Sequence, residues 1–202
     1  MSAVPATAIT DPAWLRAQLG LAARRYGCAP AGVLGTIWWY SASSVLVAPT
    51  LEALASTGRA LDPALSSVTL DVTDDGRLLG ARSGRPFDGS QDKLGKALGE
   101  TLESAIAGVE AVSGARSPAL RAIATDSIAN RLLFSGAPER AEPLIAAIGQ
   151  RMPRPRYVLI GSNRVVRRAS CCLIYQVGLP KCTSCPRQHP ADRDRRLRTA
   201  LG

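Results

Sequence analysis

The chain has 202 residues, of which 46% are hydrophobic and 20% are charged, and its mean hydropathy is +0.04. These values are typical of a globular protein and exclude a disordered or collagen-like chain. A chain of this length can bury a sizeable core, so its five cysteines are not needed as the staples of a miniature fold.

The positive charge of the chain is concentrated near its C-terminus. The net charge is +9. Residues 151–202 contain twelve basic and two acidic residues, whereas residues 1–150 contain thirteen basic and fourteen acidic ones. A field of this kind attracts anionic partners, which include nucleic acid, acidic proteins and small anionic chelates.

The first predicted element is a helix that begins at Asp11 and Pro12 and ends at Gly27. Aspartate is favoured as an N-cap, proline is favoured in the first helical turn, and glycine is favoured after the last one. Cys28 follows this helix and lies far in sequence from the other cysteines. We expect it to be a small, buried or partly buried thiol.

Residues 31–46 form a second predicted helix, which is almost uniformly apolar and therefore predicted to be buried. It carries Trp38-Trp39-Tyr40 as core aromatics. Pro49 is predicted to break or restart the helix before it ends at Gly58. Polar residues interrupt this apolar stretch, so a membrane-spanning helix is not expected. With no secretory signal visible, we expect a reducing cytoplasmic location.

Residues 66–83 carry the pattern of a β-hairpin. Val68, Leu70 and Val72 alternate with polar residues, and Asp74-Asp75-Gly76 supplies turn chemistry. Three amphipathic helices are predicted next, beginning at Ser90, Ser117 and Pro138, with short connections that favour antiparallel packing as a bundle.

Pro153-Arg154-Pro155 is predicted to mark the entry into a second region. A small hairpin is predicted over residues 157–166, and the charged run 192–198 forms either a short helix or a frayed tail. The predicted fold class is α+β. A mostly helical domain covers residues 1–152, with its hairpin near 66–83, and a small cysteine-rich region covers residues 153–202.

Four of the five cysteines lie within fifteen residues, with the spacing C-C-x9-C-x2-C; they are Cys171, Cys172, Cys182 and Cys185. A Cys-x-x-Cys pair can bind one metal centre, but an adjacent pair is an awkward clamp for a tetrahedral zinc ion. A [2Fe–2S] cluster has two irons that each take two thiolates, and tolerates such an arrangement better. Disulfides would need an oxidising compartment. The spacing therefore favours an iron–sulfur cluster, with zinc and disulfides as alternatives.

The motif Arg167-Arg168-Ala169-Ser170-Cys171-Cys172-Leu173-Ile174-Tyr175, followed by Cys182-Thr183-Ser184-Cys185-Pro186, resembles the C-terminal motif of the FhuF-type ferric-siderophore reductases. That family has a cysteine doublet followed by Cys-x-x-Cys, with basic residues just before the doublet. The Trp38-Trp39 helix, its continuation from Leu51 to Gly58 and the hairpin turn at Asp75-Gly76-Arg77 are similar to the N-terminal region of the same family.

The resemblance implies that Cys171, Cys172, Cys182 and Cys185 bind a [2Fe–2S] cluster as metal and cofactor ligands. It implies one-electron reduction of a ferric siderophore, which releases Fe(II), by an oxidoreductase that draws on a reduced electron donor. No catalytic residue beyond the cluster is predicted, and His189 is not expected to be a ligand.

Arg167, Arg168 and Lys181 are the predicted substrate-binding residues; together with Arg164 they surround the cysteines with positive charge. Such charge also allows peripheral contact with the inner membrane.

Two other functions are open at the level of sequence. The first is an iron–sulfur or zinc-containing regulatory module that binds through the basic C-terminal region. Nucleic acid is not predicted as its partner, because there is no helix-turn-helix signature and no aromatic stacking pattern near the arginines. The second is a siderophore-assembly enzyme, although the sequence has no glycine loop that would cradle a phosphate.

Overall fold

The computed structural model describes residues 1–202 as an α+β fold, which confirms the predicted class. The helices are α1 (Pro12–Tyr26), α2 (Ala31–Thr57), α3 (Gln91–Ser113), α4 (Ser117–Phe134), α5 (Ala141–Ile148) and α6 (Pro190–Leu201). The strands are β1 (Ser2–Pro5), β2 (Val68–Val72), β3 (Leu78–Ser83), β4 (Tyr157–Ile160) and β5 (Asn163–Val166).

Helix α2 is the central element, and it packs along α4 and beneath the first sheet. Its Trp39 side chain is fully buried, and its Nε1 donates a hydrogen bond to the Leu120 carbonyl of α4 at 2.9 Å. The prediction that Pro49 breaks this helix is wrong, since α2 continues through Pro49 to Thr57. Pro49 is itself buried, so packing on both sides of the helix compensates for the lost backbone hydrogen bond.

Helix α2 is long and apolar enough, by length and composition, to cross a membrane. In the folded protein, however, 72% of its most apolar window is buried against the other elements. The core helix of a globular protein has the same properties. Packing against the other helices and the first sheet thus accounts for the burial of α2.

The first sheet contains β1, β2 and β3 in that order, with both pairs antiparallel. The predicted hairpin is confirmed as β2 and β3. Strand β1 was not predicted, because it has only four residues and ends in a proline. Pro5 is tolerated there because β1 is an edge strand, where a missing N–H group costs no ladder hydrogen bond on its outer side.

Helices α3, α4 and α5 complete the core, and all three were predicted. Ser90 caps α3 as expected, its side chain accepting a hydrogen bond from the Lys93 amide. Close packing of α3 on α5 depends on Gly95, where an added Cβ would lie 2.4 Å from the Ala147 side chain. The continuous hydrophobic core contains 32 residues, and every one of them lies between Ala6 and Met152.

Residues 153–202 contain the β4–β5 hairpin, the cysteine segment and α6. The hairpin was predicted, and the charged run 192–198 is helical rather than frayed. The prediction that Cys28 is buried or partly buried is wrong, because its side chain is exposed in the turn between α1 and α2. Gly27 before it has a φ of +83°, so the chain turns outward there instead of entering the core.

Candidate metal centre

The four clustered cysteines come together in a compact loop between β5 and α6. Cys171, Cys172 and Cys185 are buried, and Cys182 is the one that is partly exposed. None of the four is in a disulfide. A turn closed by a hydrogen bond from the Cys185 amide to the Cys182 carbonyl, at 3.0 Å, brings the Cys-x-x-Cys pair to face the doublet.

The four thiols are arranged as two pairs, each combining one member of the doublet with one of Cys-x-x-Cys. The sulfurs of Cys171 and Cys185 are 3.5 Å apart, and the Cys172 and Cys182 thiols are near enough to shift each other's pKa. The adjacent cysteines Cys171 and Cys172 thus lie against different partners, because the side chains of neighbouring residues diverge. No three of the four are gathered tightly enough to hold one single ion.

The backbone after the doublet has an unusual conformation. Leu173 has a φ of +64° and is the one non-glycine residue of the chain in the left-handed region. That conformation costs about 1–3 kcal/mol, and such strained residues concentrate at functional sites. Here it turns the amides of Leu173 and Ile174 back toward the sulfurs, so that they donate to Cys171 and Cys172.

Arg168 is the charged residue most closely associated with the sulfurs. Its side chain is only 2% exposed, and its Nη1 donates a hydrogen bond to Cys182 Sγ at 3.3 Å. Its guanidinium lies over the Tyr40 ring, 4.5 Å from the centroid, as a cation–π contact. Two of its buried nitrogens, Nε and Nη2, have no hydrogen-bond partner.

Asp126 on α4 anchors the cysteine loop to the helical region. Its carboxylate accepts hydrogen bonds from the Ala169 amide at 3.0 Å and the Ser170 amide at 3.3 Å. It also lies 3.7 Å from the Arg168 Nε, as a buried ion pair. Burial raises the pKa of Asp126 to about 6, although the amides and Arg168 act in the opposite direction.

The sulfurs themselves lie in contrasting electrostatic environments. A hydrogen bond from the Cys182 thiol lowers the pKa of Cys172 to about 5, and the Arg168 charge acts in the same direction. Burial raises the pKa of Cys171 to about 11, and the bond to Cys172 raises the pKa of Cys182. The site therefore stabilises at least one thiolate, the form that binds metals.

The donor set fits a [2Fe–2S] cluster. Such a cluster takes two thiolates at each of two irons, and the site offers four thiols in two pairs. The sulfurs of such a cluster accept hydrogen bonds from the protein. Arg168, which lies at this site, has two buried donors without a hydrogen-bond partner, Nε and Nη2. The cysteines that would hold it are Cys171, Cys172, Cys182 and Cys185.

A groove of about 750 Å³ opens directly beside Cys182. It lies between α2, α4, α6, β5 and the Cys182–Ser184 turn, and we call it the α4–α6 groove. Among its lining residues are Tyr40, Phe134, Arg164, Arg168, Cys182 and Leu201. Cys182 is the one cysteine that reaches this groove, so any group held by the four sulfurs would have its most accessible edge there.

The other basic residues singled out in the sequence have varied positions. Arg164 is exposed and lines the α4–α6 groove. Arg167 and Lys181 are exposed outside it, and Lys181 donates to the Arg187 carbonyl at 3.0 Å. His189 is exposed just before α6. Of the predicted substrate-binding residues, Arg168 alone is buried against the sulfurs, and the roles of Arg167 and Lys181 stay predictions.

Sequence reasoning missed two residues that contact Arg168, which are Asp126 and Tyr40. Both lie on helices of the first 152 residues, in Thr125-Asp126-Ser127 and at the end of Trp38-Trp39-Tyr40. Asp126 is the one acidic residue between Glu110 and Glu139, in the middle of an otherwise apolar helix face. A lone acid in a helix core is a signal that could have marked it, since burying it requires a partner.

Fold and site together show a thiol-rich segment docked on a helical body. Residues 168–187 match the FhuF 2Fe-2S C-terminal domain, which confirms the predicted resemblance. The match covers the cysteine segment alone, which is thus similar to a 2Fe-2S domain of the FhuF type. A comparison with curated proteins gives no match.

Proposed function

We propose that this protein is a ferric-siderophore reductase, an oxidoreductase that transfers one electron to a bound Fe(III) chelate and so releases Fe(II). The observation that supports it most directly is a segment matching the FhuF 2Fe-2S domain, whose four cysteines form two pairs beside an open groove. A siderophore holds Fe(III) through hard oxygen donors, and reduction lowers the charge on iron and weakens that coordination.

The cysteine segment would hold the redox group in a mostly dry environment. Cys171, Cys172 and Cys185 are buried, which protects their metal bonds from water. Bound there, a [2Fe–2S] cluster supplies one-electron redox chemistry. The chain's own acids and bases have no part in such a transfer, so no proton-transfer residue is proposed.

Arg168 has two roles in this proposal. Its hydrogen bond to Cys182 and its buried charge favour the state with more negative charge on the sulfurs, which raises the reduction potential of the site. Its contact with Tyr40 and its ion pair with Asp126 fix the position of the guanidinium. The cysteine loop is thereby held in one orientation against the helices.

The proposed partners are a ferric siderophore and a reduced electron donor, with no nucleic acid. We also propose a cytoplasmic location, where thiols stay reduced and available for metal binding. Peripheral contact with the inner membrane is compatible with the twelve basic residues of 151–202.

Anaerobic purification tests the metal content. The protein should be red-brown, with visible absorption bands and about two irons per chain. A colourless protein carrying one zinc would contradict the proposal and favour a zinc-containing binding module.

Chelate reduction is tested next. When a ferric hydroxamate or ferric catecholate is mixed with the chemically reduced protein, the visible absorption spectrum of the oxidised protein should return. Fe(II) should appear at the same time, trapped by a chromogenic ferrous chelator, with one Fe(II) per electron lost by the protein. A reduced protein that is not reoxidised by any ferric chelate would favour an iron–sulfur regulatory module instead.

A further inference from the structure

We propose that Tyr40 is a positioning residue that acts through Arg168. Its ring holds the guanidinium against the Cys182 sulfur and thereby raises the reduction potential of the four-sulfur site. This inference rests on the proposed function and deepens it, because it concerns a cluster held by the four cysteines. It makes a residue of the helical region, far from the cysteines in sequence, part of the control of the redox potential.

Hydrogen bonds alone do not fix the Arg168 guanidinium. Its Nη1 donates to Cys182 Sγ at 3.3 Å, whereas Nε and Nη2 are buried and have no partner. The Asp126 carboxylate lies 3.7 Å from Nε, which is close enough for attraction between the charges but too long for a hydrogen bond. Another contact therefore has to set the plane in which the two free donors lie.

The Tyr40 ring supplies that contact. Its centroid lies 4.5 Å from the Arg168 Cζ, the shortest of the three cation–π contacts in the structure. Burial raises the pKa of Tyr40 above its usual value, so the phenol is neutral and the contact is not an ion pair. The ring is thus the part of Tyr40 that holds the guanidinium, and the hydroxyl is not needed for it.

Tyr40 is itself held by the core of the helical region. The preceding residue, Trp39, is fully buried and donates a hydrogen bond to the Leu120 carbonyl of α4 at 2.9 Å. Helix α2 runs for 27 residues on both sides of this point. Tyr40 therefore presents its ring from a fixed backbone, and the cysteine loop packs onto that ring through Arg168.

The ring also separates Arg168 from the α4–α6 groove. Both residues line the groove, yet the Arg168 side chain is 2% exposed whereas Tyr40 is 39% exposed. A charge that is shielded from water acts more strongly on its neighbours, because the effective dielectric constant around it is lower. Reduction adds one negative charge to a cluster, so a shielded positive charge beside a ligand sulfur favours the reduced form.

The test is a redox titration of the anaerobically purified holoprotein, in which the visible bands report the midpoint potential. Tyr40→Leu removes the ring but keeps an apolar side chain, and should weaken the preference for the reduced form about fivefold. Since a tenfold change is about 59 mV for a one-electron couple, the midpoint should fall by about 40 mV. Tyr40→Phe keeps the ring and should stay within about twofold of the wild type.

A double-mutant cycle shows whether Tyr40 acts through Arg168. Arg168→Gln removes the charge and should lower the potential by itself. In that background Tyr40→Leu should change the equilibrium less than about twofold, because no cation is left for the ring to hold. Tyr26→Leu is the matched control and should leave the potential unchanged. Tyr26 also has an arginine over its ring, but that residue, Arg25, is paired with Asp75 and not with a sulfur.

Bound iron and a visible spectrum like those of the wild type show that the four-sulfur site is intact in a variant. If Tyr40→Leu does not retain iron, Tyr40→Met fills more of the space of the ring and takes its place in the same comparison. An equal or higher potential in the variant without the ring would overturn the inference. So would a shift in Tyr40→Phe as large as that in Tyr40→Leu, or an undiminished shift in the Arg168→Gln background.

The same samples separate this inference from the proposed function. If the predicted shifts are absent while ferric chelates still reoxidise the reduced wild-type protein, the reductase function stands and only the role of Tyr40 is wrong. If the shifts are present but no ferric chelate reoxidises the protein, the reductase function fails and the role of Tyr40 stands. A wild-type protein that binds no iron would overturn both.

Discussion

The two ends of this molecule are held together by different forces. Residues 1–152 contain the whole 32-residue hydrophobic core. Residues 153–202 bury few apolar side chains besides the cysteines, namely Ile160, Val166 and Leu197. The first region can fold by burying apolar surface, whereas the second has too little of it to offset the ordering of its chain.

Polar contacts with α4 take the place of a core in the second region. Asp126 accepts from two amides of the cysteine loop, Tyr157 donates to the Ala129 carbonyl at 3.1 Å, and Thr125 donates to the Pro153 carbonyl at 3.2 Å. These bonds position the loop but contribute only about 1 kcal/mol each. Metal binding by the cysteines would supply the remaining stability, as it does in small metal-dependent domains.

The largest expected effect follows from removing a metal ligand. Cys172→Ser should abolish the visible bands and the bound iron, because an alcohol does not replace the thiolate that this site stabilises. The helix content measured by far-UV circular dichroism should remain near that of the wild type, since the core lies elsewhere. Cys28→Ser is the matched control, because Cys28 is exposed and far from the cluster. Loss of iron in both variants, or in neither, would contradict the assignment.

The second prediction concerns Asp126, which anchors the cysteine loop to the helical region. Asp126→Ala removes the partner of a buried arginine and leaves two loop amides without an acceptor, at a cost of about 3–5 kcal/mol. We expect this cost to appear in the cysteine loop. The visible bands should decay much faster in the presence of an iron chelator than they do in the wild type.

Asp126→Asn is the conservative comparison for that anchor. It retains an oxygen that can accept from the Ala169 amide but loses the charge that faces Arg168. Its decay rate should lie between those of Asp126→Ala and the wild-type protein. If Asp126→Ala loses its bands at the wild-type rate, the anchor does not stabilise the loop.

The third effect tests the helical region alone. Leu102→Ala truncates a fully buried side chain of α3 and should lower the free energy of unfolding by about 2–5 kcal/mol, measured by urea unfolding followed by far-UV circular dichroism. Leu159→Ala, at a site 69% exposed, should cost less than about 0.5 kcal/mol. A larger loss at Leu159 than at Leu102 would mean that the core does not lie where the structure places it.

Local patterns were sufficient to predict most elements of the fold. The apolar period of α3 and its Ser90 cap, and the alternation of β2, depend on neighbours a few residues away. Strand β1 and the continuity of α2 through Pro49 could not be predicted in this way. Both depend on packing against residues distant in sequence, which overrides the local preference of proline.

The residues of the candidate site fall into the same two groups, those that a local pattern identifies and those that depend on packing of distant segments. The four cysteines are identified by spacing within one short segment, so the sequence alone singles them out. Asp126 and Tyr40 lie 43 or more residues before the loop they contact, and no local pattern connects them to it. The groove likewise exists only after α4 and α6 are brought together, so Phe134 could not be linked to Cys182 from the sequence.

The smallest expected effect concerns an ion pair of the helical region, in contrast with the buried pair at Asp126. Arg121 of α4 donates two hydrogen bonds of 2.6 Å to Glu103 of α3. The pair is partly exposed, so Glu103→Gln should lower the free energy of unfolding by no more than about 1 kcal/mol. Glu100→Gln on the same helix is the control, because Glu100 is exposed and has no ion-pair partner.

The pH dependence of this ion pair has a definite sign. The hydrogen bond from Arg121 holds the pKa of Glu103 below its usual range. The carboxylate thus stabilises the fold fully above the ordinary pKa of a glutamate, and that contribution is lost as the pH falls through the lowered value. Urea unfolding at a series of acidic pH values should show the wild-type advantage over Glu103→Gln shrinking as the pH falls. An advantage that grows toward low pH would show that the pair is not stabilising in its ionised form.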